Sequence, residues 1–497
     1  MKKYLLAFVL FVIVGSPVVG QVATIGSAAD TTTGKQRLMN GEFWRDQVLI
    51  ELMPYWYQHV RDEEHGAFYL NLSRDWKPMP PWDKLPAMIS RQIFSFSTAY
   101  LLSGDEKYLS VAREGVDYLL KYGWDHEYGG WFESLYQTGE PKNTNKRAAS
   151  QIYCNVGLTQ YYFATGDERA ISHVLQSVNI HKTKSHDKKL DGYYMMLNRD
   201  LSVSDSSKAK HSHYGQGSLM PGLILATRDS SVINFSKKLA DISIERMTDP
   251  VGGWMLGYPK GFDRKWNYVP YMVDGIESIY LGASSTAALF FLRLYSLTGE
   301  ESYLKHGKAL GDKLCEYGWD HDQGWWLYAV DKAPPYRPAE SQKIYWWIQI
   351  YGALLQLQLY NATNDEQYLE NFLKTELYYD RYFRDSEYGG IFLGLNPDGS
   401  FLGEGEKAKS WHTSYHEIEH GFLNYLYLNL FVNNEPVVLY FELDGPKKHL
   451  VSPVENPEVQ ITRVLINGKP WSDYDARERS ITLPVGNKLK VEVTLSK

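Results

Sequence analysis

The chain repeats itself six times, and this repetition limits the available folds more than any other feature. An acidic residue, a short gap, then glycine and a bulky residue recur as Asp62…Gly66-Ala67-Phe68, Asp125…Gly130-Trp131, Asp187…Gly192-Tyr193, Asp249…Gly253-Trp254, Asp320…Gly324-Trp325 and Asp385…Gly390-Ile391. The steps between these aspartates are 63, 62, 62, 71 and 65 residues. A second marker runs in phase with the first: Ser103-Gly104-Asp105, Thr165-Gly166-Asp167, Thr227-Arg228-Asp229, Thr298-Gly299-Glu300 and Thr363-Asn364-Asp365.

Each repeat holds two helical stretches. One is amphipathic, such as residues 110–123, with apolar residues at three- and four-residue spacing. The other, such as residues 89–102 or 286–297, is apolar nearly all round and must be buried. The Gly-Asp and Gly-Glu steps read as tight turns that place an acidic residue at the next helix start. Six such pairs predict an all-α fold, an (α/α)6 barrel or six-hairpin toroid, over residues 36–431. An open helical solenoid is the alternative. The Gly–aromatic segments precede the buried helices as short hairpin-like pieces, and loop-rich faces of this kind carry function.

After residue 432 the pattern changes to alternation. Residues 437–443, 459–466, 480–485 and 488–495 alternate apolar and polar positions, broken by turns that include Asn467-Gly468, a strong hairpin signal. Residues 432–497 are expected to form a small β module of three to five strands, packed on the barrel or binding glycan.

Lys2-Lys3, an apolar run from Tyr4 to Gly15 and the small-residue stretch Val18-Val19-Gly20 describe a signal peptide over residues 1–20. Residues 21–35 then form a linker. A secreted or periplasmic protein without an integral membrane segment is expected, since the run is shorter than a bilayer needs. Lys plus Arg is 52 against 59 for Asp plus Glu, a net charge of −7, which argues against a nucleic-acid partner. The two cysteines, Cys154 and Cys315, exclude a disulfide framework. They could pair after export, but each sits in a helix-like segment, and two buried thiols fit equally well.

Ionisable groups gather in the last buried helix: His412, Tyr415, His416, Glu417, Glu419 and His420. His412 and His416 are four apart and share a helix face. Histidine titrates near neutrality and suits proton transfer. No HExxH order is present, and no metal is expected. His211, His213 and Tyr214 form a second cluster at the third buried helix. Arg91 stands in an apolar helix and needs a partner, either a substrate oxygen or an internal carboxylate. Trp346, Trp347 and Trp411 can stack on sugar rings or fill a core. Lys407 and Lys409 add positive charge near His416, which hints at an acidic substrate.

Three stretches carry a family resemblance. They are Ser90-Arg91-Gln92-Ile93-Phe94 to Ala99-Tyr100, Trp346-Trp347-Ile348-Gln349, and Lys407 to Trp411 followed by Tyr415-His416. The chain resembles the N-acylglucosamine 2-epimerases, with cellobiose 2-epimerases and aldose–ketose isomerases among them. The resemblance implies that Arg91 contacts substrate oxygens and that His416 exchanges a proton with a sugar. Several family positions differ. Gly282-Ala283-Ser284-Ser285-Thr286 stands where the family has Gly-His-x-x-Glu, and Tyr351 replaces the glutamate after Trp-Trp-x-Gln.

The resulting expectation is a carbohydrate-active epimerase or isomerase that needs no cofactor and acts on a mono-, oligo- or polysaccharide. His416, Arg91, His213, Tyr214 and Tyr415 are the catalytic candidates. Trp346, Trp347, Gln349, Trp411, His412, Lys407 and Tyr351 are the substrate-binding candidates. A uronic-acid lyase, a glycoside hydrolase on the same barrel and a non-catalytic glycan-binding barrel are the alternatives.

Overall fold

The computed structural model describes residues 34–209, 219–257 and 261–497. The signal-peptide reading of residues 1–20 lies outside them, as do His211, His213 and Tyr214. Six outer–inner helix pairs follow in order: α1 (41–59) with α2 (Pro86–Ser103), α3 (Glu106–Tyr118) with α4 (Ala148–Thr165), and α5 (Glu168–Lys184) with α6 (Met220–Thr227). Then come α7 (Ser230–Arg246) with α8 (Leu281–Thr298), α9 (Glu301–Tyr317) with α10 (Trp346–Thr363), and α11 (Glu366–Tyr382) with α12 (Tyr415–Tyr427). Each inner helix packs on the next, and α12 packs back on α2. That last contact closes the ring: the chain is an (α/α)6 barrel, not an open solenoid. No described helix is long and apolar enough to cross a membrane.

Local chemistry explains the turns. Inner helices end on left-handed residues, namely Gly104, Gly166, Arg228, Gly299 and Asn364. The acidic residue after each then starts an outer helix. Asp105, Asp167, Asp229 and Asp365 each accept a hydrogen bond from the backbone N–H two residues on. Glu300, one methylene longer, makes no such cap.

The repeat aspartates hold the loop face together. Six two-residue bridges fold the Gly–aromatic segments into hairpins, from Arg61–Phe68 to Arg384–Ile391. Inside four of them a buried lysine pairs with the aspartate: Lys84–Asp62 (2.6 Å), Lys146–Asp125 (3.0 Å), Lys208–Asp187 (3.1 Å) and Lys407–Asp385 (2.6 Å). An arginine from the next repeat adds a second grip, as Arg199 does on Asp125 and Arg264 on Asp187. Arg74 of the first repeat grips Asp385 of the last, so an ion pair also closes the ring. Burial opposes ionisation of Asp125, but Arg199 and Lys146 outweigh it and hold the carboxyl at about 2. Lys407 is thus committed to Asp385 and is not a substrate-binding residue.

Gln349 is also structural. Its amide accepts from the Trp326 N–H at 2.7 Å and donates to the Trp326 carbonyl at 3.0 Å. Gln151 clamps Trp131 in the same way. The glutamine of the Trp-Trp-x-Gln motif fixes a loop rather than a ligand.

Inner helices α2 and α4 touch at the backbone. A Cβ on Gly157 would lie 1.9 Å from the Ser90 carbonyl oxygen. The Ser90 hydroxyl fills the junction, donating to the Cys154 carbonyl at 2.8 Å and accepting from the Gly157 N–H at 2.9 Å. Gly157→Ala is expected to cost about 2–4 kcal/mol, because a backbone atom cannot step aside. Chemical denaturation measures it, and a loss under about 0.5 kcal/mol would refute the tight contact. Both cysteines are free, Cys154 buried and Cys315 half-buried.

The C-terminal module forms two sheets. One orders the strands Val437–Gly445, Gly486–Ser496, Gln460–Ile466 and Lys469–Pro470; the other orders Lys448–Leu450, Ser480–Thr482 and Tyr474–Asp475. That exceeds the expected three to five strands, because the added ones span two or three residues and show no periodicity. Asn467 and Gly468 both take positive φ in the hairpin turn, as that dipeptide favours. The module covers the barrel end remote from the inner-helix starts. His449 reaches the Phe163 carbonyl and Lys447 the Gly166 carbonyl, both at the far end of α4.

Candidate active site

The inner-helix starts surround a cavity of about 540 Å³. Its wall includes Arg91, Trp346, Trp347, Trp411, His412 and His416, six of the residues singled out from the sequence. Tyr351 and Tyr415 do not reach it. They are buried behind it and hold other groups in place.

His416 sits on the first turn of α12. Its Nδ1 lies 3.0 Å from the Tyr351 hydroxyl, and that hydroxyl donates to Glu419 Oε2 at 2.9 Å. A phenol has one proton. With it given to the carboxylate, Tyr351 accepts from His416, which places the imidazole proton on Nδ1. Nε2 then carries a lone pair, and it makes no hydrogen bond to another described residue. Tyr415 donates to the second oxygen of Glu419 at 2.8 Å. The arrangement is a buried Glu419–Tyr351–His416 chain ending in a base at the cavity. Burial, then the charges of Arg91 and His412, push the His416 imidazole well below its usual range. Burial drives the Tyr351 and Tyr415 phenols well above theirs, so both stay protonated.

Arg91, on the second turn of α2, is 3% exposed. Its Nη1 donates to the Trp411 carbonyl at 2.6 Å, and the guanidinium lies 4.1 Å from the Tyr153 ring centroid. No carboxylate among the described residues pairs with it, so the internal ion pair allowed by the sequence is not the answer. Arg91 Nε, Trp346 Nε1, both ring nitrogens of His412 and Glu417 Oε2 all lack a hydrogen-bond partner in the protein. Three of these buried atoms, Arg91 Nε, Trp346 Nε1 and His412 Nδ1, belong to residues lining the cavity, and such atoms without a hydrogen bond, each costing about 1–3 kcal/mol, mark a place built for a polar ligand.

The indoles are placed by small neighbours. A Cβ on Gly282 of α8 would come 2.4 Å from the Trp347 ring, so only glycine admits the indole there. Trp347 lies nearly parallel to the His416 ring at 6.4 Å, and Trp346 packs edge-on to His412 at 4.5 Å. Trp411 is exposed at the rim. His420, by contrast, bonds Glu376 at 2.6 Å away from the cavity.

Arg147 and Tyr153 also line the cavity and were missed from the sequence. A signal for Tyr153 existed: it is the sixth residue of α4, as Arg91 is of α2 and Tyr351 of α10. Arg147 follows the loop lysine Lys146, which masks it as a turn residue.

Comparison with known proteins agrees with this geometry. The profile of the N-acylglucosamine 2-epimerase (GlcNAc 2-epimerase) family matches residues 66–419. A cellobiose 2-epimerase of Bacteroides fragilis is 25% identical over 381 residues, covering 74% of this chain and 94% of that protein. The structure of a cellobiose 2-epimerase from Bacillus thermoamylovorans B4167 superposes with a TM-score of 0.67 at 20% identity, over 78% of this chain and 98% of that one. A D-mannose isomerase structure superposes with a TM-score of 0.67 at 18% identity, over 80% and 98%. The two structures share the fold. The profile spans most of the barrel and includes the cavity residues from Arg91 to His416. The chain belongs to the N-acylglucosamine 2-epimerase family.

Proposed function

We propose that this chain is a sugar epimerase or aldose–ketose isomerase that moves a proton at the carbon beside a reducing sugar's carbonyl. One observation carries the reading: His416 presents an unprotonated Nε2 to the cavity while Tyr351 and Glu419 hold its other nitrogen. Family membership and relatives named as 2-epimerases support it.

In this reading Nε2 takes the proton from C2, and the C–H electron pair forms the C1–C2 double bond. The carbonyl π pair moves to O1, and the Arg91 guanidinium offsets the charge that develops there. Such preorganised charge is a large part of many rate enhancements. The imidazolium formed at His416 is stabilised through Tyr351 by Glu419. Return of the proton to C2 or C1 gives the epimer or the ketose. Trp347 and Trp411 offer flat apolar faces to the sugar ring. The rim cations Arg147 and Lys409 already pair with Glu133 and Glu406, which favours a neutral sugar over an acidic one. The basic, apolar and small-residue order of residues 1–20 supports export of the mature chain.

Proton NMR in deuterated water, with cellobiose and D-mannose as probes, tests the proposal. Deuterium is expected at C2 with the chain length unchanged. New vinyl protons with shortened chains would replace the reading by elimination, and shortening alone would replace it by hydrolysis.

A further inference from the structure

His412 lines the cavity and pairs with Glu417 behind it, and the proton abstraction assigned to His416 does not use this second acid–base pair. His412 sits one turn before His416, in the segment leading into α12, and is 3% exposed. Its Nε2 lies 3.7 Å from Glu417 Oε2, an ion-pair distance beyond hydrogen-bond reach, and none of the three atoms, the two ring nitrogens and that oxygen, makes a hydrogen bond to protein. The other Glu417 oxygen accepts from Trp56 Nε1 of α1 at 2.8 Å, which fixes the carboxylate. Both histidine rings pack on Trp346, at 4.5 and 5.8 Å. Across the barrel, the start of α8 offers only Gly282, Ala283, Ser284, Ser285 and Thr286, all buried and none an acid or base near neutrality. Among the described residues, the two histidines that line the cavity therefore come from one wall.

A reducing sugar is almost wholly a closed ring, and C2 becomes acidic only when C1 is a carbonyl. Opening the ring moves a proton from the O1 hydroxyl to the ring oxygen O5. O1 is bonded to C1, the neighbour of C2, so a group that serves O1 must stand beside the group that serves C2. His412 stands there.

We propose that His412, backed by Glu417, opens the sugar ring, and that the protein therefore interconverts the anomers of its substrate as a separable activity. In the step, His412 takes the O1 proton as the O1 electron pair forms the C1 carbonyl. The C1–O5 bond breaks, its pair goes to O5, and the imidazolium returns one proton to O5. Charge and atoms balance, and no co-reactant is needed. Glu417 stabilises the short-lived imidazolium from 3.7 Å. The assignment rests on the reading that a reducing sugar fills this cavity.

Two NMR signals on one sample separate the steps. Magnetisation exchange between the anomeric protons reports ring opening, and deuterium uptake at C2 reports enolisation. With cellobiose or D-mannose, the wild type is expected to accelerate both. His416→Asn should lose C2 uptake but retain anomer exchange above the uncatalysed rate. His412→Asn should lose about 100-fold in catalysed anomer exchange, the ordinary scale of general acid–base catalysis. Glu417→Gln keeps an acceptor for Trp56 and should lose about 10-fold, a result that guards against misfolding of the histidine variant. Anomer exchange that is absent in the wild type, or untouched in His412→Asn, overturns the assignment, and C2 uptake then judges the epimerase reading alone. Anomer exchange that depends on His412, with no C2 uptake, supports the assignment and overturns proton abstraction.

Discussion

His416→Asn is expected to lower C2 deuterium uptake by about 10³-fold while leaving sugar-dependent quenching of tryptophan fluorescence in place. The size follows from general base catalysis, worth about 10²–10⁴-fold. Asparagine is the informative replacement. It is polar enough to face the Tyr351 hydroxyl, so the buried Tyr351–Glu419 pair keeps a partner, yet it cannot accept a proton at neutral pH. Trp347 and Trp411 are untouched, so binding should persist. The pH profile supplies an independent check. A base works only when unprotonated, and burial, Arg91 and His412 push His416 well below its usual 6.5. Activity should therefore hold as the pH falls through 6.5 and be lost only at more acidic values. An acidic limb above 6.5, or a variant with more than about a tenth of wild-type uptake, would remove His416 from this role.

The sequence carried the barrel because period and amphipathicity act at short range. A helix apolar all round has nowhere to go but inside, and six of them in phase must close or stack. The sequence did not carry the identity of partners that meet across repeats. Lys407 looked like a substrate cation because it stands nine residues before His416, but its partner Asp385 lies in the loop behind it. Gln349 stood in a motif beside two cavity indoles, yet a helix turns its side chains through 100° per residue, and its amide points at the Trp326 backbone instead. Tyr351 stands where the family pattern has a glutamate. Only the packing of α10 against α12 reveals that its hydroxyl spans His416 and Glu419. The repeat register was the unused clue: the sixth position of the inner helices yields Arg91 and Tyr153, which line the cavity, and Tyr351, which holds His416 from behind it.

Glu455→Gln is expected to destabilise the folded chain by about 3–5 kcal/mol, the cost of removing one partner from a buried ion pair. Glu455 belongs to the C-terminal module, yet it lies inside the far end of the barrel. Val451, Ser452, Val454 and Glu455 are all buried, and the Glu455 carboxylate pairs with the guanidinium of Arg293 on α8, itself 3% exposed. The Tyr427 hydroxyl of α12 donates to the second carboxylate oxygen at 2.6 Å. One side chain of the module thus joins two inner helices whose opposite ends frame the cavity. A charge in so dry a place is costly when its counter-charge goes, and glutamine keeps the shape while deleting only that charge. The converse variant separates charge from packing. Arg293→Met combined with Glu455→Leu removes both charges at similar volume and should recover most of the loss, because paired burial of ions is close to neutral against an apolar core. Urea denaturation followed by tryptophan fluorescence measures all three proteins. A single-variant loss below about 1 kcal/mol would mean that the module rests on the barrel without bracing it. A full loss would mean that the segment beyond residue 432 is part of the barrel's own core, and that the geometry of the inner helices at the cavity depends on it.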